Sequence, residues 1–343
     1  MATALLLLAA GTVILWGSAE SLVRGAAALG RRARISPIVI GLTVVSVGTS
    51  APELVVSIAA VTDGRPGMAM GNVLGSNLAN VGLILALAAL IRPLGMAPGV
   101  VRRDLPWMLG VTLLLVPLLL DNGVGRAEGA LLAAVLGLYL AILARGGRTR
   151  PAELTAPTPG NGNRRAAPVS RKRAGTDRPW RGSRAGEGVR PVVLPLLLVV
   201  AGSAGLVLGG RWIVSGAGVV ATELGIPETL VGLSIVAVGT SLPELATTII
   251  AAVRKEADLA VGNILGSNIF NLTFVLGGTA LVHPLELEPG ILRVEYPAVL
   301  ALSIALLPLA WTRGRVTRLE GLLLLGLYGA AWGWILTAGG AWG

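Results

Sequence analysis

The sequence predicts an all-α polytopic membrane protein with ten transmembrane helices arranged as two inverted five-helix repeats. Two observations carry this expectation. Of the 343 residues 54% are hydrophobic and 13% charged, a balance that a soluble domain cannot hide and that a chain solvated by lipid requires. In addition, the 40-residue stretch from Gly41 to Asn80 recurs without a gap at Gly232 to Asn271, with about half its positions identical.

A window of about 20 residues, the length a helix needs to cross a bilayer, finds ten apolar segments. The first, near 3–28, opens with MATALLLLAAG. It has no basic n-region and its apolar run outlasts a signal-peptide core, so a retained helix is expected. The second, near 36–61, carries Pro52 in its interior, and the third, near 68–90, carries Gly71 and Gly75 at the spacing that lets helix backbones approach. The fourth and fifth, near 105–120 and 127–144, are the shortest, and residues 1–145 make the N-terminal five-helix repeat.

Gly146 to Arg190 is rich in Arg, Pro, Gly, Ser and Asn and poor in large apolar residues apart from Trp180. Such a stretch cannot bury a core. Residues 146–190 are expected to be a basic, disordered cytoplasmic linker, able to lie against anionic lipid headgroups and too short for a β-sandwich sensor domain. The C-terminal repeat, 191–343, then has segments near 191–220, 227–253, 259–282, 295–311 and 319–338, with Pro243 standing where Pro52 does and Gly262 with Gly266 where Gly71 and Gly75 do.

The net charge of +10 resembles a nucleic-acid signal until the charges are placed. Of the 28 basic residues, all but Arg65, Arg126, Arg211 and Arg293 fall in connections on one side, twelve of them from Arg145 to Arg190. The positive-inside rule therefore puts both termini outside and the linker in the cytoplasm, and no nucleic-acid partner is expected. Because five spans per half is odd, the second copy runs through the membrane in the opposite sense. Inverted copies bring equivalent residues to a common site, so Glu53 and Glu244 should face each other.

The duplicated residues are the polar ones: GTSAPEL returns as GTSLPEL and GNVLGSNLAN as GNILGSNIFN. Pro52 cannot donate to the carbonyl of Gly48, nor Pro243 to that of Gly239, and each ring opens its turn. Carbonyls near Gly48, Thr49, Gly239 and Thr240 lose their partners, which a bilayer tolerates only where protein or an ion replaces them. Hydroxyls of Thr49, Ser50, Thr240 and Ser241 and the carboxylates of Glu53 and Glu244 lie within a turn of these breaks. This all-oxygen set suits calcium or sodium rather than zinc or copper. Ser76 with Asn80, and Ser267 with Asn271, share helix faces and add neutral oxygens. Asn72, Asn77, Asn263 and Asn268 are equally matched between the copies, with helix-to-helix hydrogen bonding at least as good a role as ion contact.

An intramembrane carboxylate is a functional-site hypothesis by default. The alternative, structural pairing with buried basic groups, finds no Lys or Arg near either glutamate in its own span. Glu20 differs, since Arg24 follows one turn later and a local salt bridge is expected. The absence of Cys excludes disulfides, thiolate metal sites and thiol catalysis. His283, the one histidine, stands in HPLELEPG and reads as a turn residue.

With these motifs the chain resembles the sodium/calcium exchangers of the cation/calcium antiporter superfamily, the two matched stretches being similar to its α-repeats. The resemblance implies calcium held by Glu53, Glu244 and the carbonyls of Thr49 and Thr240. It further implies sodium sites built from Ser50, Ser76 and the carbonyl of Ser46 on one side, and from Ser241, Ser267 and the carbonyl of Ala237 on the other, with Asn80 and Asn271 lining the middle. The transported ions Ca2+ and Na+ are then the substrates, the lipid bilayer the surroundings, and no cofactor is needed. The long first helices of each half would slide to alternate access. Some relatives carry Asp where this chain has Asn271, so only two titratable carboxylates remain. A calcium/proton exchanger is the alternative, although that branch usually shows Glu where this chain offers Asn80 and Asn271. A channel fits the two broken repeats less well. A membrane protease lacks HExxH or a comparable cluster, so no enzyme is expected. Richness in Ala, Gly, Leu and Arg with two Lys suggests a GC-rich bacterial genome, hence a plasma membrane, the bacterial inner membrane.

Overall fold

A computed structural model describes residues 2–33, 35–146, 192–224, 237–286, 291 and 293–339. The linker expectation lies outside the described residues from 147 onward, as does that for 227–236. The first repeat comprises α1 (Ala2–Ala33), α2 (Pro37–Thr49), α3 (Ala51–Thr62), α4 (Pro66–Ile91), α5 (Leu105–Leu118) and α6 (Arg126–Gly146). The second comprises α7 (Val193–Glu223), α8 (Ala237–Thr240), α9 (Leu242–Val253), α10 (Ala257–Val282), α11 (Glu295–Arg313) and α12 (Arg318–Gly339).

The described residues are mostly helical, in a chain built to cross a membrane. Among the described residues six helices are long and apolar enough to span, and the pair α2 and α3, bent by 41°, makes a seventh. Helix α9 and the apolar stretch Glu295–Trp311 are shorter. Large apolar side chains face outward: Leu6, Val13 and Trp16 on α1, Leu138 on α6, Leu322 and Trp334 on α12. In water these would be a liability; against lipid they are the solvated surface.

The layers follow from composition. Helices α4 and α10, with their polar motifs, form the centre, 72% and 94% buried over their most apolar windows, whereas α12 is 11% buried and clads the outside. Glycine sets a close crossing at the centre. A methyl group on Gly262 would meet the carbonyl oxygen of Ile38 at 2.7 Å, and one on Gly41 would meet that of Leu259 at 2.8 Å, so α2 and α10 touch backbone to backbone. Gly71 and Gly75, expected to behave alike, meet nothing within 4 Å among the described residues.

Helices α4 and α10 each contain one widened π-turn, at Asn80–Ile84 and Asn271–Val275. Among the described residues two further π-turns occupy Gly41–Val45 of α2 and Val100–Asp104 ahead of α5. Asp104, fully buried, accepts hydrogen bonds from Arg103 at 2.7 Å and Tyr139 at 3.2 Å, and Trp107 stacks on Tyr139 at 5.4 Å. This ties α5 to α6. Among the described residues four two-residue strands close the ends of the bundle: β1 (Leu94–Gly95), β2 (Gly123–Val124), β3 (Leu285–Glu286) and β4 (Arg315–Val316). They pair antiparallel as β1 with β4 and β2 with β3, so each ladder joins opposite repeats.

Candidate cation site

The site begins with two broken helices. Pro52 and Pro243 stand second in α3 and α9, where a missing N–H does no harm to the new helix but cannot continue the old one. The residues before the break respond identically: Ser50 adopts φ −85°, ψ 3° and Ser241 φ −86°, ψ 1°. Glu53 and Glu244 consequently fall in the first turns of α3 and α9, where the helix dipole favours negative charge.

Both carboxylates are fully buried. Among the described residues neither forms an ion pair with Lys or Arg. Ser50 donates to Glu244 Oε1 at 3.2 Å, and Ser267 donates to the same oxygen at 3.4 Å. Glu244 Oε2 and both Glu53 carboxylate oxygens receive no hydrogen bond among the described residues. Three donor-free carboxylate oxygens in a dry interior are costly in the absence of a cation or proton.

The hydroxyls interleave the two repeats. Thr49 donates to Asn263 Oδ1 at 3.2 Å, and Thr240, its counterpart, donates to Asn72 Oδ1 at 3.0 Å. Thr49 also lies 3.3 Å from the Ser267 hydroxyl, and Ser241 donates to Ser76 at 3.2 Å. Ser46 donates to the carbonyls of Gly41 at 2.8 Å and Asn263 at 3.1 Å, while its own carbonyl accepts from Ser50 N at 2.8 Å. Ala237 starts α8, where only its backbone is described. Asn80 donates to Asn268 Oδ1 at 3.0 Å, and both amide atoms of Asn271 are buried without a partner among the described residues.

The structure therefore gathers Glu53, Glu244, Thr49, Thr240, Ser50, Ser241, Ser76 and Ser267 through one interwoven set of contacts. Asn80 and Asn271 stand at the π-turns of α4 and α10, a geometry often found at functional sites. The other repeated asparagines make helix-to-helix bonds. Asn72 donates to the Glu53 carbonyl at 3.2 Å and to Ser57 at 3.0 Å, Asn263 donates to Thr248 at 3.0 Å, and Asn77 donates to the Asn268 carbonyl at 3.3 Å. Ser57 and Thr248 were missed by the sequence reading, although each is a hydroxyl at the same position of its repeat, four residues after the glutamate. Away from the site, Glu20 pairs with Arg24 at 2.6 Å as expected, and also with Arg254 from the other half of the chain. His283 is exposed at the end of α10, its Nδ1 2.9 Å from the Pro284 carbonyl.

Both halves of this arrangement match one family. A sequence model described as sodium/calcium exchanger protein covers residues 3–145 and 194–336. The chain belongs to that family. Among curated relatives it is 38% identical to the inner membrane protein YrbG of Escherichia coli K12, over 95% of this chain and 94% of that one. It is 33% identical to the sodium/calcium exchanger MaX1 of Methanosarcina acetivorans, over 94% and 95% of the two chains, and 35% identical to the antiporter CaxA of Alkalimonas amylolytica, over 95% and 96%. Among solved structures it superposes on the sodium-calcium exchanger NCX_Mj with a TM-score of 0.78 and 27% identity, covering 96% of this chain and 97% of that one. Family membership makes the chain a multi-pass membrane antiporter of calcium and a second cation rather than an enzyme.

Proposed function

We propose that the second cation is sodium and that both ions compete for Glu53 and Glu244. The observation that carries this reading is the buried pair itself: two carboxylates without a basic partner, three of their four oxygens without donors, set among hydroxyls and carbonyls. Such a site demands a cation, and its all-oxygen chemistry selects hard ones. MaX1 and NCX_Mj, similar over nearly the whole chain, are both named as sodium/calcium exchangers.

Calcium is held by both carboxylates with the carbonyls of Thr49 and Thr240. Sodium takes flanking positions among Ser50, Ser76 and the Ser46 carbonyl, and among Ser241, Ser267 and the Ala237 carbonyl, with Asn80 and Asn271 between. One calcium cancels the two negative charges, and sodium ions cancel them in its place. A loaded site is therefore neutral or nearly so and can be carried past apolar gates, whereas a half-loaded one keeps a charge that is costly to bury. That difference couples the two fluxes.

The proposal includes the topology: ten spans, repeats at 1–145 and 191–343, both termini outside, and the basic 146–190 linker in the cytoplasm of a bacterial inner membrane. It is tested by radioactive calcium uptake into proteoliposomes. Uptake that requires internal sodium and disappears in Glu244→Gln supports it. Uptake driven by a proton gradient alone, with no sodium present, assigns the protein to calcium/proton exchange instead.

A further inference from the structure

The offset of 191 residues that relates Glu53 to Glu244 also relates α1 to α7, since SLVRGA at Ser21–Ala26 aligns with WIVSGA at Trp212–Ala217. The packing of these two helices obeys that symmetry. A methyl group on Gly11 would press on Gly209 and Ile213, and one on its counterpart Gly202 on Ser18 and Leu22; Gly25 faces Pro195 and Val199, and its counterpart Gly216 faces Ala4 and Leu8. The pair α1 and α7 is thus one tightly apposed unit.

The seating of this unit on the rest is not symmetric. On one side α1 lies along α9, and Glu20 binds Arg254, the residue that follows α9. On the other side a cavity of about 240 Å³ separates α7 from α3, lined by Pro52, Val55 and Val56 of α3 and by Gly210, Arg211 and Val214 of α7. Thr240, from the cation site, lines it too. Gly48 faces Ser203 and Gly239 faces Val214, so both broken helices lean on α7 rather than one on each helix of the unit. One side is closed and the other open.

The charges at the two sides are exchanged. The counterpart of Glu20 is Arg211 and the counterpart of Arg254 is Asp63. Inverting one partner alone would place like charges together; inverting both preserves attraction. In the structure Asp63 bonds its loop neighbour Arg65 at 3.1 Å, both exposed, while Arg211 has no acidic partner among the described residues.

From this we infer that Asp63 and Arg211 form the closing contact of the cavity side, the mirror of Glu20 with Arg254. The inference rests on the alternating-access reading. As α1 and α7 slide together, Glu20 leaves Arg254, Arg211 reaches Asp63, and the cavity beside Thr240 shuts while the opposite side opens. Each pair holds one end-state of the same motion, so the two are mutually exclusive.

The chain has no Cys, so engineered pairs report without background. Full-length Asp63→Cys/Arg211→Cys and Glu20→Cys/Arg254→Cys would be oxidised in membrane vesicles with sodium, with calcium, and with neither. A protease site placed in the 146–190 linker reads the result, because a disulfide in either pair holds the cleaved halves together. Bond formation needs Cα atoms within about 7 Å. Both pairs are expected to cross-link, with conditions that favour one disfavouring the other. Charge supplies the second arm: Arg211→Asp and Asp63→Arg singly slow calcium exchange about two- to fivefold, and the double exchange restores it. Cross-linking of Glu20 with Arg254 but never of Asp63 with Arg211, or a double exchange no better than the singles, overturns the inference. Absence of any calcium flux in the unaltered chain would refute the exchange reading instead, and it is seen independently of the cross-links.

Discussion

Ser50, three residues before Glu53, donates its hydroxyl to the carboxylate of Glu244 across 3.2 Å. Each acid thus depends on the opposite repeat for its surroundings, but not equally, because the counterpart hydroxyl of Ser241 turns to Ser76 instead. The carboxylate of Glu53 is left with no donor among the described residues.

That inequality separates the two glutamates experimentally. Both Glu53→Gln and Glu244→Gln are expected to weaken calcium binding about 100-fold or more, since affinity at oxygen sites follows the count of charged ligands. Only Glu53→Gln should markedly raise the melting temperature of the ion-free protein at alkaline pH, because it removes a buried charge that no donor offsets. Calorimetric calcium titration and thermal unfolding in detergent with chelator check the pair. Equal melting shifts in the two variants would contradict the asymmetry.

Asn72 and Asn263 hold the backbone and hydroxyls around the acids without a place in the proposed ion shell. Asn72→Ala removes bonds to the Glu53 carbonyl, Ser57 and Thr240, at a cost of about 1–3 kcal/mol. The expected result is a lower unfolding temperature together with weaker calcium binding. Asn72→Asp, which keeps the acceptor for Thr240 and loses the donors, should recover little of either.

Backbone contact between α2 and α10 makes Gly262→Ala a probe of the crossing. Its methyl would sit 2.7 Å from the Ile38 carbonyl oxygen, and forcing such contacts apart costs about 1–3 kcal/mol. Gly137→Ala in α6, with nothing within 4 Å, should instead be neutral or stabilise by up to about 1 kcal/mol. Paired unfolding curves in one detergent give the comparison, and equal destabilisation would refute the close crossing.

Asn271, with both amide atoms buried and unpartnered among the described residues, has room for a third carboxylate. Asn271→Asp would leave the calcium-loaded site with one uncancelled negative charge. Calcium uptake should then gain a requirement for potassium or acid that the unaltered protein lacks. Uptake into vesicles with and without these ions decides it.

Much of this site was legible because duplication marks it twice. The paired prolines fixed where Ser50 and Ser241 break the helices, and the matched glutamates named the acids. What escaped depends on contacts that one chain segment cannot announce. Arg254 reaches Glu20 across 234 positions of sequence, and nothing local in either stretch points to the other. Ser57 and Thr248 were hidden because a hydroxyl in an apolar run ordinarily bonds its own helix. Two-residue strands are too short to show an alternating pattern, and the π-turns leave the apolar periodicity almost unchanged.

The ladders that join β1 to β4 and β2 to β3 carry a consequence for assembly. Each half presents strand edges that only the other half completes, and each owns one acid of a two-acid site. A polypeptide of half this length would hold unpaired edges and half a cargo pocket. Neither half alone therefore completes its strand edges or holds both buried acids, and the fold depends on the two halves closing on each other.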